Sequence, residues 1–183
     1  MKKPPVILLG VTGGIAAFKA AALTSLLTRA GMDVRVVMTK NAAELVSPRT
    51  FQALSKNPVY TDMFSDDASA HPHIDLARQC RLMCVAPATA NFLGKAANGI
   101  ADDLLSTTVL AFGGPIILAP AMNETMWQKP AVKRNVKTLA KDGFLFVGPE
   151  TGRLSCGESG VGRMAEPEQI LQKIQDVLSC IKS

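Results

Sequence analysis

The chain has 183 residues, 48% of them hydrophobic and 19% charged, which fits one domain with a sizeable core and excludes a disordered polypeptide. Its net charge of +5 comes from 20 scattered lysines and arginines, and aromatic residues make up only 5%. That is poor equipment for stacking bases, so no nucleic-acid partner is expected; the charge suits an anionic small molecule or an ordinary basic surface.

Lys2 and Lys3 lead into Pro4, Pro5 and an apolar run too short for a secretory core or a membrane span, so a cytoplasmic protein without membrane association is expected. Val6 to Val11 (VILLGV) reads as a strand that stops at Thr12-Gly13-Gly14. Residues 15–30 read as a helix with Gly31 as its stop signal, and Val34 to Met38 (VRVVM) as the next strand. Leu82 to Ala86, Pro115 to Ala119 and Phe144 to Val147 are further strand candidates separated by helical patterns. Thr151 to Met164 holds four glycines and little periodicity, and reads as an ordered loop or flap. Ile170, Ile174, Val177, Leu178 and Ile181 recur at helical spacing and predict a final helix from Pro167 to about Ile181. Apolar strands alternating with helices predict a single-domain, Rossmann-like three-layer α/β/α sandwich with a mostly parallel sheet, spanning residues 1–183. Cys80, Cys84, Cys156 and Cys180 show no CxxC spacing and no histidine cluster, so reduced thiols and no metal site are expected.

Four places carry candidate chemistry, each with a plainer alternative. The turn Gly10-Val11-Thr12-Gly13-Gly14 between strand and helix offers backbone amides to a phosphate, or serves packing alone. It is neither GxGxxG nor a P-loop, and Met38-Thr39-Lys40 after the second strand lacks the acid that would hold an adenosine ribose; a mononucleotide such as FMN therefore fits better than NAD. Pro72 suits the first position of a helix, which places His73 in its first turn; imidazole is the side chain suited to proton transfer near neutrality, yet both His71 and His73 also read as solvent-facing. Asn123 follows the strand Pro115 to Ala119, at the carboxyl end where open α/β sheets bind ligands, and reads equally as a helix N-cap. Cys156, in the glycine-rich flap, is either an accessible acid or incidental.

Six segments in register, GVTGGIAAFK, VMTKNA, HIDLAR, VAPATANFLGKAANGIADDLLST, APAMNETMW and SCGESGVGRMAEP, run from Gly10 to Pro167. Together they resemble the homo-oligomeric flavin-containing cysteine decarboxylases, and most closely those acting on 4′-phosphopantothenoylcysteine in coenzyme A biosynthesis. The resemblance implies FMN held by Gly13, Gly14, Ile15, Ala16, Thr39, Lys40, Asn41, Thr89, Ala90, Asn91, Phe92 and Ala121. It also implies His73 as the active-site histidine, Asn123 and Met126 as substrate contacts, and Cys156 as the proton donor of a flap that covers the substrate. The chemistry implied is oxidation of the cysteinyl side chain to a thioaldehyde, loss of CO2 to an enethiolate, then return of hydride and proton to give 4′-phosphopantetheine. A homotrimer or a dodecamer of trimers is implied too, with flavin near a subunit boundary. Rivals are a peptidyl-cysteine oxidative decarboxylase, disfavoured by the intact Cys156 flap, and a non-catalytic flavin-binding regulator, disfavoured by the lack of an acidic tail before Ser183. A flavin prenyltransferase shares only the glycine-rich opening.

Overall fold

The computed structural model describes residues 4–64, 71–153, 157 and 159–181. The first half of the sheet is laid down by β1 (Val6–Val11), α1 (Ala17–Arg29), β2 (Asp33–Met38), α2 (Lys40–Ala43), α3 (Pro48–Ser55) and β3 (Val59–Tyr60). The second half follows as α4 (Pro72–Gln79), β4 (Leu82–Ala88), α5 (Ala90–Ala97), α6 (Leu104–Ala111), β5 (Ile116–Pro120), α7 (Glu124–Gln128), α8 (Pro130–Lys141) and β6 (Leu145–Phe146). A ribbon of β7 (Glu150–Arg153) and β8 (Ser159–Arg163) precedes the last helix, α9 (Pro167–Ile181).

Six strands form one sheet in the order β3-β2-β1-β4-β5-β6, with every pairing parallel. The alternation of side chains along each strand feeds two cores. Ile7, Leu9, Val34, Val36 and Cys84 point to the layer of α1, α3 and α9, where Leu23, Phe51, Ile170 and Ile174 are buried against them. Leu8, Val37, Met83, Val85 and Leu118 point the other way, onto Leu76, Leu93, Leu105 and Leu139 of α4, α5, α6 and α8. Both faces of the sheet are covered, which is why its strands read as unbroken apolar runs. Each of the fully buried aliphatic side chains contributes about 1.5–3 kcal/mol of burial free energy. Central strand β4 is buried along its whole length, and burial pushes the thiol of Cys84 up to about 12. Cys80, at the entry to β4, is pushed up to about 12 as well, chiefly by burial and against the lowering influence of Arg35.

The three-layer fold agrees with expectation, with four differences in detail. The first helix starts at Ala17 rather than at residue 15, because the Gly14 amide donates to the Thr12 carbonyl (2.8 Å) in a tight turn first. β3 was not anticipated, and the strand expected over Phe144 to Val147 pairs only over Leu145–Phe146. The flap was expected to be a loop, but its described residues form the antiparallel β7–β8 pair. Glycines at 152, 160 and 162 hide any side-chain alternation there.

Candidate functional site

The chain runs from β1 outward to β3, returns to the middle of the sheet, and runs outward again from β4 to β6. Between the carboxyl ends of β1 and β4 the loops leave in opposite directions and open a crevice. A cleft of about 1180 Å³ lies there. That exceeds the ~300–1000 Å³ of an ordinary small-molecule site and gives room for a cofactor and a substrate together.

Thr12 ties the two sides of the crevice. Its buried hydroxyl donates to the Pro87 carbonyl (2.7 Å) and accepts from the Thr89 amide (3.1 Å), joining the end of β1 to the end of β4. Beyond it, the described structure supplies no partner for the amides of Gly13, Ile15 and Ala16. They stand at the start of α1, where the helix dipole also favours an anion. Gly13 packs so tightly on Asn41 that a Cβ would collide with it, while one at Gly14 would approach Thr89 Cγ2 to 3.2 Å. Such a backbone cradle has the room and the donors that a phosphate group requires.

The remaining lining comes from three further segments. Thr39 receives the Ala42 amide on its hydroxyl (3.3 Å) and caps α2, bringing Lys40 and Asn41 to the wall. Thr89 receives the Phe92 amide (3.4 Å) and caps α5, bringing Ala90, Asn91 and Phe92 to the opposite wall. Ala121 and Asn123 line the cleft after β5, and Met126 lines it from α7. Asn123 also accepts the Thr125 amide (2.8 Å) and caps α7, so the cap expected as its alternative role is present in a residue that faces the cleft. The structure thus brings together every residue expected at the cofactor and both expected at the substrate.

His73 is different. It occupies the second position of α4, after Pro72, and is not among the residues lining this cleft. Its Nδ1 is buried without a partner among the described residues, and its ring stands edge-on to His71 at 6.5 Å. Cys156 lies outside the described residues, within the segment that joins β7 to β8.

Charged residues missed by the sequence reading complete the cleft. Lys95 donates to Asp102 (2.7 Å) and Asp103 (3.1 Å), and the Asp102 hydrogen bond above all raises its pKa against the cost of burial. Burial pushes the Asp103 carboxyl up, but donors from Ser106 and Lys95 outweigh this and hold it below the usual range. Glu166 accepts from Lys19 (3.0 Å) and from Arg163, and the Lys19 hydrogen bond is the main reason its carboxyl is held low. Lys19 lies only five residues beyond Gly14, close enough in sequence to have been suspected; the Lys95–Asp102–Asp103 cluster carries no periodic signal.

The family model described as Flavoprotein matches residues 1–179. The chain belongs to the flavoprotein family.

This flavoprotein is 54% identical over 167 residues to the coenzyme A biosynthesis bifunctional protein CoaBC of Bacillus subtilis (strain 168), covering 91% of this chain and 41% of the relative. It is 46% identical over 175 residues to the CoaBC of Mycobacterium tuberculosis (strain ATCC 25618 / H37Rv), covering 96% and 42%. The chain therefore spans about two fifths of the length of these curated relatives. Among solved structures, a PPC decarboxylase mutant complexed with pantothenoylaminoethenethiol superposes with a TM-score of 0.86 at 32% identity, over 94% of this chain and 97% of that one. The FMN-dependent cysteine decarboxylase SpaF superposes with a TM-score of 0.86 at 33% identity, over 99% of each chain. No described helix of the flavoprotein is long and apolar enough to cross a membrane.

Proposed function

We propose that this flavoprotein binds FMN in the cleft and decarboxylates 4′-phosphopantothenoylcysteine to 4′-phosphopantetheine, the carboxy-lyase step of coenzyme A biosynthesis, in the cytoplasm. The observation that carries the reading is the cleft itself. In a chain resembling both CoaBC and a PPC decarboxylase, all the residues expected at flavin and substrate converge on one crevice.

The amides of Gly13, Ile15 and Ala16 would hold the FMN phosphate, with Thr39, Lys40 and Asn41 on one side and Thr89, Ala90, Asn91, Phe92 and Ala121 on the other. Bound there, FMN supplies a reversible two-electron oxidation at the cysteinyl side chain, which creates the electron sink that decarboxylation requires. The protein supplies orientation and proton control. Asn123, already fixed by its cap on α7, presents its side chain to the substrate, and Met126 closes the apolar side. His73 takes a proton early and Cys156 returns one at the end. His73 is absent from the cleft lining of its own chain among the described residues, and in this reading it reaches the cleft of a second copy on assembly. Exposed Ile15 (60%) and Phe18 (61%) at the mouth of the cleft support that contact, in a homotrimer or a dodecamer of trimers.

A second reading, oxidative decarboxylation of a C-terminal peptidyl cysteine, would use the same cleft, but the likeness to CoaBC and to a PPC decarboxylase supports the first. One experiment separates the two. The purified protein is examined by visible spectroscopy, then given phosphopantothenoylcysteine or a C-terminal cysteine peptide, with products followed by mass spectrometry. A yellow protein yielding 4′-phosphopantetheine is expected. Turnover of the peptide alone moves the assignment to the second reading, and a protein that takes up no FMN ends both.

A further inference from the structure

Five cationic side chains line the described cleft: Lys19, Lys40, Lys95, Arg153 and Arg163. Four already face carboxylates. Lys19 and Arg163 share Glu166, Lys95 sits between Asp102 and Asp103, and Lys40 approaches Asp62 at 3.8 Å. The guanidinium of Arg153 alone has no ion pair or hydrogen bond with any described residue, although it is part of the same wall. A guanidinium left unneutralised at the edge of a cleft is equipped to grip a phosphate with two parallel hydrogen bonds.

Its position has a second property. The β7–β8 ribbon is fastened beside the substrate asparagine, since the Met122 amide donates to the Gly162 carbonyl (3.0 Å) and the Val161 amide donates to Glu124 (3.3 Å). Arg153 pairs in register with Ser159, three residues along β8 from Gly162. At ~3.3 Å per residue it stands roughly 10 Å along the ribbon from the anchorage next to Asn123. A pantothenoyl arm, about ten bonds of ~1.5 Å in a zigzag, covers a similar distance between its cysteinyl amide and its terminal phosphate.

We propose that Arg153 is a specificity-determining residue that binds the terminal phosphate of the substrate at the outer end of the ribbon, while Asn123 holds the cysteinyl end. The inference rests on the functional reading above and adds to it a reason why a phosphorylated small molecule is preferred to a peptide. The FMN phosphate is left to the backbone amides at the start of α1, so the two anions occupy different parts of the cleft.

The test is designed to survive failure of the catalytic reading. The FMN-loaded enzyme and its Arg153→Gln and Arg153→Lys variants are titrated with 4′-phosphopantetheine and with pantetheine by calorimetry. The same proteins are assayed with phosphopantothenoylcysteine and pantothenoylcysteine. The wild type is expected to prefer the phosphorylated member of each pair. Arg153→Gln erases about ten- to hundred-fold of that preference through KM rather than kcat, and Arg153→Lys restores part of it. A wild type that binds both members equally, or a glutamine variant that keeps the preference, overturns the proposal. Turnover without phosphate preference removes Arg153 alone, whereas phosphate-dependent binding without turnover leaves the Arg153 assignment in place and removes the catalytic reading.

Discussion

Thr12 shows how much one side chain can decide in this cleft. Its hydroxyl satisfies both the Pro87 carbonyl and the Thr89 amide. A valine of similar shape would leave both of those groups without it, at a cost of about 1–3 kcal/mol. For Thr12→Val we expect the melting temperature to fall by several degrees and FMN content per chain to fall with it, read by calorimetry and by absorbance. A variant with wild-type flavin content would show that the tie does not shape the cleft. Glu166 carries a pH signature. Because its folded-state pKa is lowered by Lys19 and Arg163, its stabilisation is complete above the ordinary glutamate value of 4.5 and is lost as pH falls through the folded value. Glu166→Gln should therefore lose stability less steeply than the wild type under acid, in denaturant titrations at successive pH values; parallel slopes would refute this. The glycine turn and Asn123 were readable from sequence because strand ends announce where open sheets bind ligands. Lys95 with Asp102 and Asp103 was not, because that contact depends on how the turn between α5 and α6 folds back. Thr39, Thr89 and Asn123 turned out to cap helices while lining the cleft, a double use that no one-dimensional pattern separates.

Among the elements, the β7–β8 ribbon departs furthest from expectation. Four glycines within Thr151 to Met164 leave no alternation of side chains, so the segment read as a loop. The structure gives two of them, Gly160 and Gly162, a spatial reason, since a Cβ at either would collide with a neighbour. At Gly162, with φ of 154°, a Cβ would run into the Met122 carbonyl, whose own residue donates its amide back to Gly162. Gly162→Ala must shift the ribbon or the segment before α7, at roughly 1–3 kcal/mol of local strain. The expected result is faster amide hydrogen exchange over Thr151–Arg153 and Ser159–Arg163, with exchange in the central strands nearly unchanged. Equal protection in the ribbon of both proteins would mean that the contact with Met122 does not hold it. α9 was legible almost to the residue and α1 to within two residues, since their apolar spacing repeats over several turns. β3 was not, because a two-residue pairing at the sheet edge has no pattern to display; β6 was anticipated within Phe144 to Val147 but pairs over its two central residues alone.

Over the whole molecule, the parallel sheet was legible for a physical reason: strands buried on both faces are written as apolar runs, and VILLGV and LMCVAPA are such runs. The order in which they pair was not written there. Nothing local distinguishes a return from β3 to the far side of β1 from continued outward growth, yet that return opens the crevice on which the proposed chemistry depends. The position of His73 is a matter of the same scale. Its sequence context placed it in a first turn, as found, but whether it meets its own flavin or a neighbour's is decided by assembly.

Cys80 and Cys84 enclose a consequence for how the protein could be watched. Thiolate is the species that reacts with alkylating reagents, and thiols pushed up to about 12, one buried inside β4 and one just before it, offer almost none of it at neutral pH. Alkylation of this pair therefore serves as a clock for the opening of the sheet. In pulse labelling followed by peptide mass spectrometry, both should gain mass together and at the rate of global unfolding, slowed by whatever ligand stabilises the folded chain. Early modification of Cys80 alone would instead date a separate loosening where α4 hands the chain to the central strand.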